Sequence, residues 1–197
     1  LDDEKSAKYR KECVEKGLEI DYAKMNGMTH EKLFSFFYES KKLQRKNNGW
    51  EFDYVENDFF GTKLDYDLVD SKSGKVLAKY GEKFNSLTAK NIKKESIKKL
   101  FVDDESIEGN YLSKDIFDPN SGIIYFEAGD EITKNVISFL NEKKINNIDI
   151  LNINSDKQGT YIRDTFFADK NKNRNDAITE IYKILRPGEP PTLEAAD

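Results

Sequence analysis

Two stretches of the chain carry the same order of apolar and turn-forming residues, 48 positions apart. An internal period of this kind indicates a structural unit that occurs twice. The apolar pairs are Leu68 with Ile116, Val76 with Ile124, Phe84 with Ile132, Ile92 with Leu140, Ile97 with Ile145 and Leu100 with Ile148. The turn-forming residues are Asp67, Asp70, Ser73, Gly74 and Gly81, matched by Asp115, Asp118, Ser121, Gly122 and Gly129. We therefore predict a duplicated ββα-type module over residues 61–160.

Each copy has the pattern of a hairpin followed by a helix and a third strand. In the first copy the strands are predicted at 64–69 and 75–79, because an Asp/Ser/Gly turn separates two short apolar runs. Asn85 is the predicted N-cap of a helix that reaches about Glu95, and a third strand follows at 97–102. The second copy predicts strands at 112–117 and 123–127, a helix capped by Thr133, and a strand at 147–153.

The segments before the duplication divide into two parts. Residues 1–27 are polar with sparse apolar positions, which predicts one or two weakly amphipathic helices. In residues 28–60, Thr29 caps a predicted helix that runs to Tyr38 with its apolar face toward the core, and a hairpin follows at 43–55. Because neither hairpin of the duplication can bury its apolar face alone, we predict an α+β fold in which the two copies pack on each other as a compact module.

The segment 161–197 carries the candidate contact residues. Aromatic and basic residues alternate from Tyr161 to Phe167, which predicts a strand with most of its rings in the core. Base stacking beside phosphate contacts is the alternative use for these rings, with Arg163 and Lys183 as the cations. A helix is predicted at 175–185, and it should end there because Pro187 disfavours helical geometry at the residue before it. Thr192 could cap a further helix. The exposed end of the helix leaves Arg186 free to contact nucleic acid or to pair with Glu189, and both uses stay open.

Composition limits the other kinds of function. Charged residues make up 35% of the chain and the formal net charge is -5, which argues against an independent binder of duplex DNA. The single cysteine, Cys13, allows no internal disulfide, and one Cys with one His, His30, has no metal-ligand spacing. A triad of His30 with Ser35 is disfavoured, because Ser35 lies on a core-type helix. No apolar run reaches the roughly 20 residues that span a bilayer, so a cytoplasmic location is predicted.

The chain from about Met28 onward resembles the β subunit of bacterial RNA polymerase. The resemblance is strongest after Gly109 and rests on the helix at 175–185 followed by Arg186-Pro187-Gly188-Glu189-Pro190-Pro191-Thr192. It implies a fragment of the β lobe: residues 1–27 as a lineage-specific insertion, 28–60 as a lobe helix and hairpin, 61–160 as an inserted duplicated module, and 161–197 as the return to the lobe.

The same resemblance implies a role without catalytic residues. The lobe forms one wall of the DNA cleft, and its insertion offers a surface to sigma factor or regulators, while β′ and α are the other expected partners. Arg186 is expected to face DNA in the cleft. The fragment itself is expected to hold no cofactor, because the Mg²⁺ of the parent nucleotidyltransferase is bound by another subunit.

Two other functions remain open from the sequence. The duplication could be a scaffold in a free-standing protein-interaction module of an unrelated cytoplasmic protein. Alternatively, Asp115 and Asp118 could act as the paired carboxylates of a small hydrolase, although the spacing of these residues is more typical of turn formers than of an EF-hand or a catalytic pair.

Overall fold

The computed structural model describes residues 4–18, 29–153, 159–171 and 174–190. The predicted N-cap at Thr192 lies outside these ranges, as do residues 1–3 and 19–27 of the polar N-terminal segment. The chain has two compact units, a larger one that ends at Thr160 and a smaller one that begins at Tyr161. The larger unit contains all the strands of the described residues and five of their α-helices.

The helices and strands follow the predicted order closely. The helices of the larger unit are α1 (Glu4–Lys16), α2 (His30–Phe34), α3 (Glu56–Phe59), α4 (Ser86–Lys94) and α5 (Lys134–Glu142). Its strands are β1 (Ser40–Lys46), β2 (Gly49–Asp53), β3 (Leu68–Asp70), β4 (Val76–Ala78), β5 (Lys99–Asp103), β6 (Ile116–Phe117), β7 (Ile124–Phe126) and β8 (Asn147–Leu151). A 3₁₀ turn covers Glu105–Ile107. The smaller unit has α6 (Tyr161–Ala168) and α7 (Arg174–Leu185). The α+β class is confirmed.

Helix caps and turns form where the side chains predict them. The side chain of Thr29 accepts a hydrogen bond from Lys32 N, and the Asn85 side chain accepts from Leu87 N at 2.9 Å. The Thr133 hydroxyl accepts from Val136 N at 3.5 Å, at the start of α5. These contacts satisfy backbone donors that the first turn of a helix leaves without partners.

A six-stranded antiparallel sheet holds the larger unit together, in the order β4-β3-β5-β2-β1-β8. The predicted hairpin at 43–55 is confirmed as β1–β2, and it lies between β5 and β8, which are the third strands of the two sequence copies. One sheet face forms the core. Its buried side chains include Leu43, Trp50, Phe52, Leu100, Val102, Ile148 and Ile150, which pack with Ile92 of α4 and Leu140 of α5.

The two sequence copies keep equivalent backbone contacts. Gly81 N donates to Leu64 O at 2.8 Å, and 48 residues later Gly129 N donates to Leu112 O at 2.7 Å. Residues 61–160 do not, however, close into a sheet of their own, since β5 and β8 both pair with strands from 28–60. The separate duplicated module therefore stays a prediction, as do the predicted domain boundaries.

The second hairpin, β6–β7, is a two-stranded sheet that α1 contacts. Arg10 is 1% exposed, and its Nη2 and Nε donate to Gly122 O at 2.8 and 3.2 Å. Its guanidinium also lies 5.9 Å from the ring centroid of Phe117. Part of the polar segment 1–27 thus forms a helix with a specific buried contact.

Two predictions about helical and strand segments are wrong. The helix capped by Thr29 ends at Phe34 instead of Tyr38, and Phe36 and Phe37 are exposed. The segment Tyr161–Ala168 is the helix α6 instead of a strand, and none of its side chains is buried. Tyr161 is 78% exposed, so the expected packing of these rings in a core does not occur among the described residues.

Candidate nucleic-acid interface

The C-terminal end of α7 and the turn after it hold the guanidinium of Arg186 in an exposed position. Arg186 N donates to Tyr182 O at 2.8 Å, which closes the last helical turn, and the proline at 187 ends the helix as predicted. Glu189 N then donates to Arg186 O at 3.3 Å, and Gly188 has a φ of 95°. A positive φ at the third position of a β-turn favours glycine, so the Pro-Gly pair fixes the direction of the chain just after Arg186.

Arg186 pairs with Glu189, which is one of the two uses that the sequence left open, and the contact with nucleic acid stays a prediction. Its side chain is 62% exposed, and its Nη1 lies 3.5 Å from Oε2 of Glu189. The same carboxylate oxygen accepts a hydrogen bond of 2.9 Å from the Tyr182 hydroxyl, and the guanidinium lies 5.6 Å from the Tyr182 ring centroid. An exposed ion pair of this length contributes little stability. The arrangement orients the guanidinium while leaving its other nitrogen atoms accessible to an anion.

The other two candidate cations have different surroundings. Lys183 is exposed and lies three residues before Arg186, so both belong to the same side of α7. Arg163 lies on α6, where its side chain is 18% exposed. Its guanidinium is 4.3 Å from the ring centroid of Phe167, and its Nη1 lies 3.1 Å from Oδ1 of Asp164. Arg163 is therefore engaged within its own helix, whereas Lys183 and Arg186 project from α7.

The carboxylates considered for hydrolysis serve the turns of the second hairpin. Asp118 Oδ2 accepts from the Ser121 hydroxyl at 2.8 Å, and Asp115 Oδ1 accepts from Ala128 N at 2.8 Å. The backbone N–H of Asn120, with the bond from Ser121, holds the pKa of Asp118 below its usual value. Burial instead raises the pKa of Asp115. Asp70 in the first copy accepts from Ser73 in the same way, which favours the turn-forming interpretation.

A half-buried lysine beside a cavity was not predicted from the sequence. Lys41 lies 3.3 Å from Asp58 Oδ2, and its amine is 5.0 and 5.2 Å from the ring centroids of Phe52 and Phe59. Burial lowers the pKa of Lys41, although Asp58 opposes that effect. The cavity measures about 380 Å³. In the sequence, Lys41 is one polar residue of an alternating strand segment. Its partner Asp58 also accepts a hydrogen bond from Asn152, which the pairing of β1 with β8 brings close.

The described residues hold no helix long and apolar enough to cross a membrane. Within the same ranges, no three His, Cys, Asp or Glu side chains cluster in a way that could hold a metal ion.

Comparison with known proteins identifies relatives of one kind. The chain is 38% identical over 172 residues to proteins named DNA-directed RNA polymerase subunit beta from Rickettsia conorii and Rickettsia felis. It is 36% identical over 171 residues to the protein of the same name from Rhizobium leguminosarum bv. trifolii. Each alignment covers 87% of this chain but only 12% of the relative. No protein-family profile matches the chain. On this similarity, the chain belongs to the bacterial DNA-directed RNA polymerase β-subunit family and corresponds to a fragment of that subunit.

Proposed function

We propose that this chain forms part of the lobe of the polymerase β subunit and lines one wall of the DNA cleft. In this role it supports template-directed RNA synthesis in the bacterial cytoplasm, with β′ and α as partner subunits, and supplies neither catalytic residues nor the Mg²⁺ ligands. The observation that carries the proposal is the exposed guanidinium of Arg186, at the exit of a helix whose sequence resembles that of polymerase β subunits.

The local chemistry supports a contact with nucleic acid at this point. A guanidinium presents a planar set of donors that matches a phosphate or a base edge, which a lysine ammonium cannot do in the same way. The Arg186 side chain lies beside the Tyr182 ring and the Glu189 carboxylate, and the exposed pair with Glu189 costs little to exchange for a phosphate. Lys183 adds a second positive charge one turn away. Arg163 is the third candidate, and we expect it to contribute less because its guanidinium is already stacked on Phe167.

The experiment is a promoter-complex lifetime measured with polymerase reconstituted from a β subunit that contains this chain. Arg186→Ala should shorten the lifetime of the open complex by about tenfold, since one charge-assisted contact is worth about 1–2 kcal/mol. Arg186→Lys should recover part of the loss, because it keeps the charge without the bidentate geometry. Lys134→Ala on α5 is the matched control and should leave the lifetime unchanged.

The subunit should assemble normally in each variant, because Arg186 and Lys134 are both exposed. An unchanged lifetime for Arg186→Ala, measured at two salt concentrations, would remove Arg186 from the cleft contact. An equal effect of Lys134→Ala would mean that the loss reflects net charge alone.

We further propose that residues 61–160 offer a surface to sigma factor or to regulators of transcription. The support is compositional: residues 61–160 hold 15 lysines and no arginine against 17 Asp and Glu residues, and this net charge of -2 suits contacts with proteins better than contacts with phosphates. This surface is independent of Arg186, which belongs to the smaller unit of the chain.

A further inference from the structure

Strand β4 is at one end of the six-stranded sheet, and a groove of about 190 Å³ lies between it and α4. The groove is lined by Lys75, Val76, Leu77, Asn91, Ile92, Lys94 and Glu95. Val76 is 44% exposed beside it. The register of β3 with β4 pairs Leu68 with Ala78 and Val69 with Val76, which leaves Leu77 as a bulge without a partner on β3. An edge strand leaves backbone N–H and C=O groups without a strand partner on its outer side, and these groups can pair with an added segment.

The second sequence copy closes the equivalent place with aromatic rings. Tyr125 stands 48 residues after Leu77 and is also the bulged residue of its hairpin. Phe139 stands 48 residues after Asn91, and the Tyr125 and Phe139 ring centroids are 4.8 Å apart. Lys143, the counterpart of Glu95, lies over both rings at 6.0 and 5.8 Å. The fold can therefore fill this position, and the first copy keeps it open with smaller side chains.

The lining of the open groove carries one net positive charge, with Lys75 and Lys94 against Glu95, in a chain that is acidic overall. Helix α4 has the sequence SLTAKNIKK, with three lysines and no carboxylate, whereas α5 has one lysine and one glutamate. Lys75 and Lys94 line the groove, and its only carboxylate among the described lining residues is Glu95, which lies 2.6 Å from the Lys75 amine. The complete chain has a net charge of -5. A ligand for this groove should therefore be narrow, extended and negatively charged.

We propose that the groove between β4 and α4 binds an extended acidic peptide segment of a partner protein. The backbone of the peptide would lie along the free edge of β4, its alternate apolar side chains would enter the groove beside Val76 and Leu77, and its carboxylates would pair with Lys75 and Lys94. The proposal deepens the role of residues 61–160 as an interaction surface, and rests on it, but does not involve Arg186.

The test uses the 197-residue chain and a fluorescein-labelled dodecapeptide of alternating valine and glutamate, followed by fluorescence anisotropy at low salt. The chain should bind the peptide saturably. Lys75→Glu combined with Lys94→Glu should weaken binding at least about tenfold, because two favourable charge pairs become repulsive. Leu77→Tyr combined with Asn91→Phe, which introduces the residues of the second copy, should abolish binding without any change of charge.

The matched control is Lys134→Glu combined with Lys144→Glu, an equal change of charge on the second copy. Its affinity should stay within about twofold of the original. Thermal unfolding checks that each variant is folded. If the double aromatic variant does not fold, the single change Asn91→Phe, at an exposed site, takes its place.

Three results would overturn the proposal. The first is the absence of saturable binding by the unchanged chain, and the second is undiminished binding by Asn91→Phe. The third is equal competition by an oligothymidylate of the same charge, which would make the groove a general polyanion site. None of these results bears on the promoter-complex lifetime of the Arg186 variants, so the two proposals can fail separately.

Discussion

Protonation of Glu51 should cost the protein about 2 kcal/mol of its folding free energy between pH 7 and pH 3. Glu51 lies on β2, on the sheet face opposite the core, and its side chain is 17% exposed. Oε1 accepts from the Lys99 amine at 2.7 Å, and Oε2 accepts from the Ser71 hydroxyl at 2.7 Å and lies 3.4 Å from the Lys46 amine. Three strands and the turn after β3 thus converge on one carboxylate.

The magnitude follows from the change in pKa on folding. The bond from Lys99, then that from Ser71, lowers the pKa of Glu51 from its ordinary 4.5 to about 2. A carboxylate whose pKa is lower in the folded state contributes stability above the unfolded pKa and loses it as the pH falls through the folded pKa. The difference between the two pKa values corresponds to about 3 kcal/mol at pH 7, of which about 1 kcal/mol remains at pH 3.

The assay is urea unfolding at pH 7, 5, 4 and 3, at constant ionic strength, with the original chain and with Glu51→Gln. The variant should be less stable at pH 7, and its stability should fall by about 2 kcal/mol less than that of the original chain on going to pH 3. Glu95→Gln is the matched control, since Glu95 forms an exposed pair with Lys75. Parallel pH profiles for the original chain and Glu51→Gln would refute the assignment of this stability to Glu51.

Two further changes test contacts of the central hairpin. Gly49→Ala should destabilise the protein by about 2–4 kcal/mol in thermal unfolding. A Cβ at Gly49 would lie 2.2 Å from Val102 O, so the backbone of β5 would have to move. An unchanged melting temperature would contradict this expectation. Asp104→Ala should cost about 1–3 kcal/mol of folding free energy and shift the fluorescence emission of the single tryptophan. The reason is that the carboxylate of Asp104 accepts from Trp50 Nε1 at 2.8 Å and from the Arg45 guanidinium. Identical emission and stability would show that these bonds do not stabilise the contact of Asp104 with the hairpin.

The sequence predicts elements well where a local signal is present. Asn85 and Thr133 are N-caps because their short side chains reach backbone donors two or three residues later, which is a purely local relation. The hairpin β1–β2 was predictable for the same reason, since Asn47 takes a φ of 51° in a turn of Asn and Gly. The exposure of Arg186 also follows locally from the proline after it.

The contacts of Glu51 and Lys41 could not be predicted, because they depend on which strands pair. Glu51 meets Lys99 only because β2 and β5 are neighbours in a sheet whose order departs from the order of the chain. Similarly, Lys41, near the start of β1, contacts Asp58, and Asp58 accepts a hydrogen bond from Asn152, which follows β8. The sequence specifies such an arrangement through the summed burial of many apolar residues, and no short pattern records it.

The error at Tyr161–Ala168 has a different physical origin. Alternation of aromatic and polar side chains predicts a strand at this segment. Residues such as Ile162 and Phe166 are, however, also four apart, and this spacing places them on one side of a helix. Alternation identifies a strand only when one face is buried, and here the side chains are at least partly exposed in the described chain. Without a buried face, pairing as a strand brings no burial of apolar surface, and the segment satisfies its backbone groups within the helix. The Thr165 hydroxyl also donates to Tyr161 O at 2.7 Å. The Tyr161 ring, at the start of α6, is therefore 78% exposed, whereas Phe167 stacks with the guanidinium of Arg163.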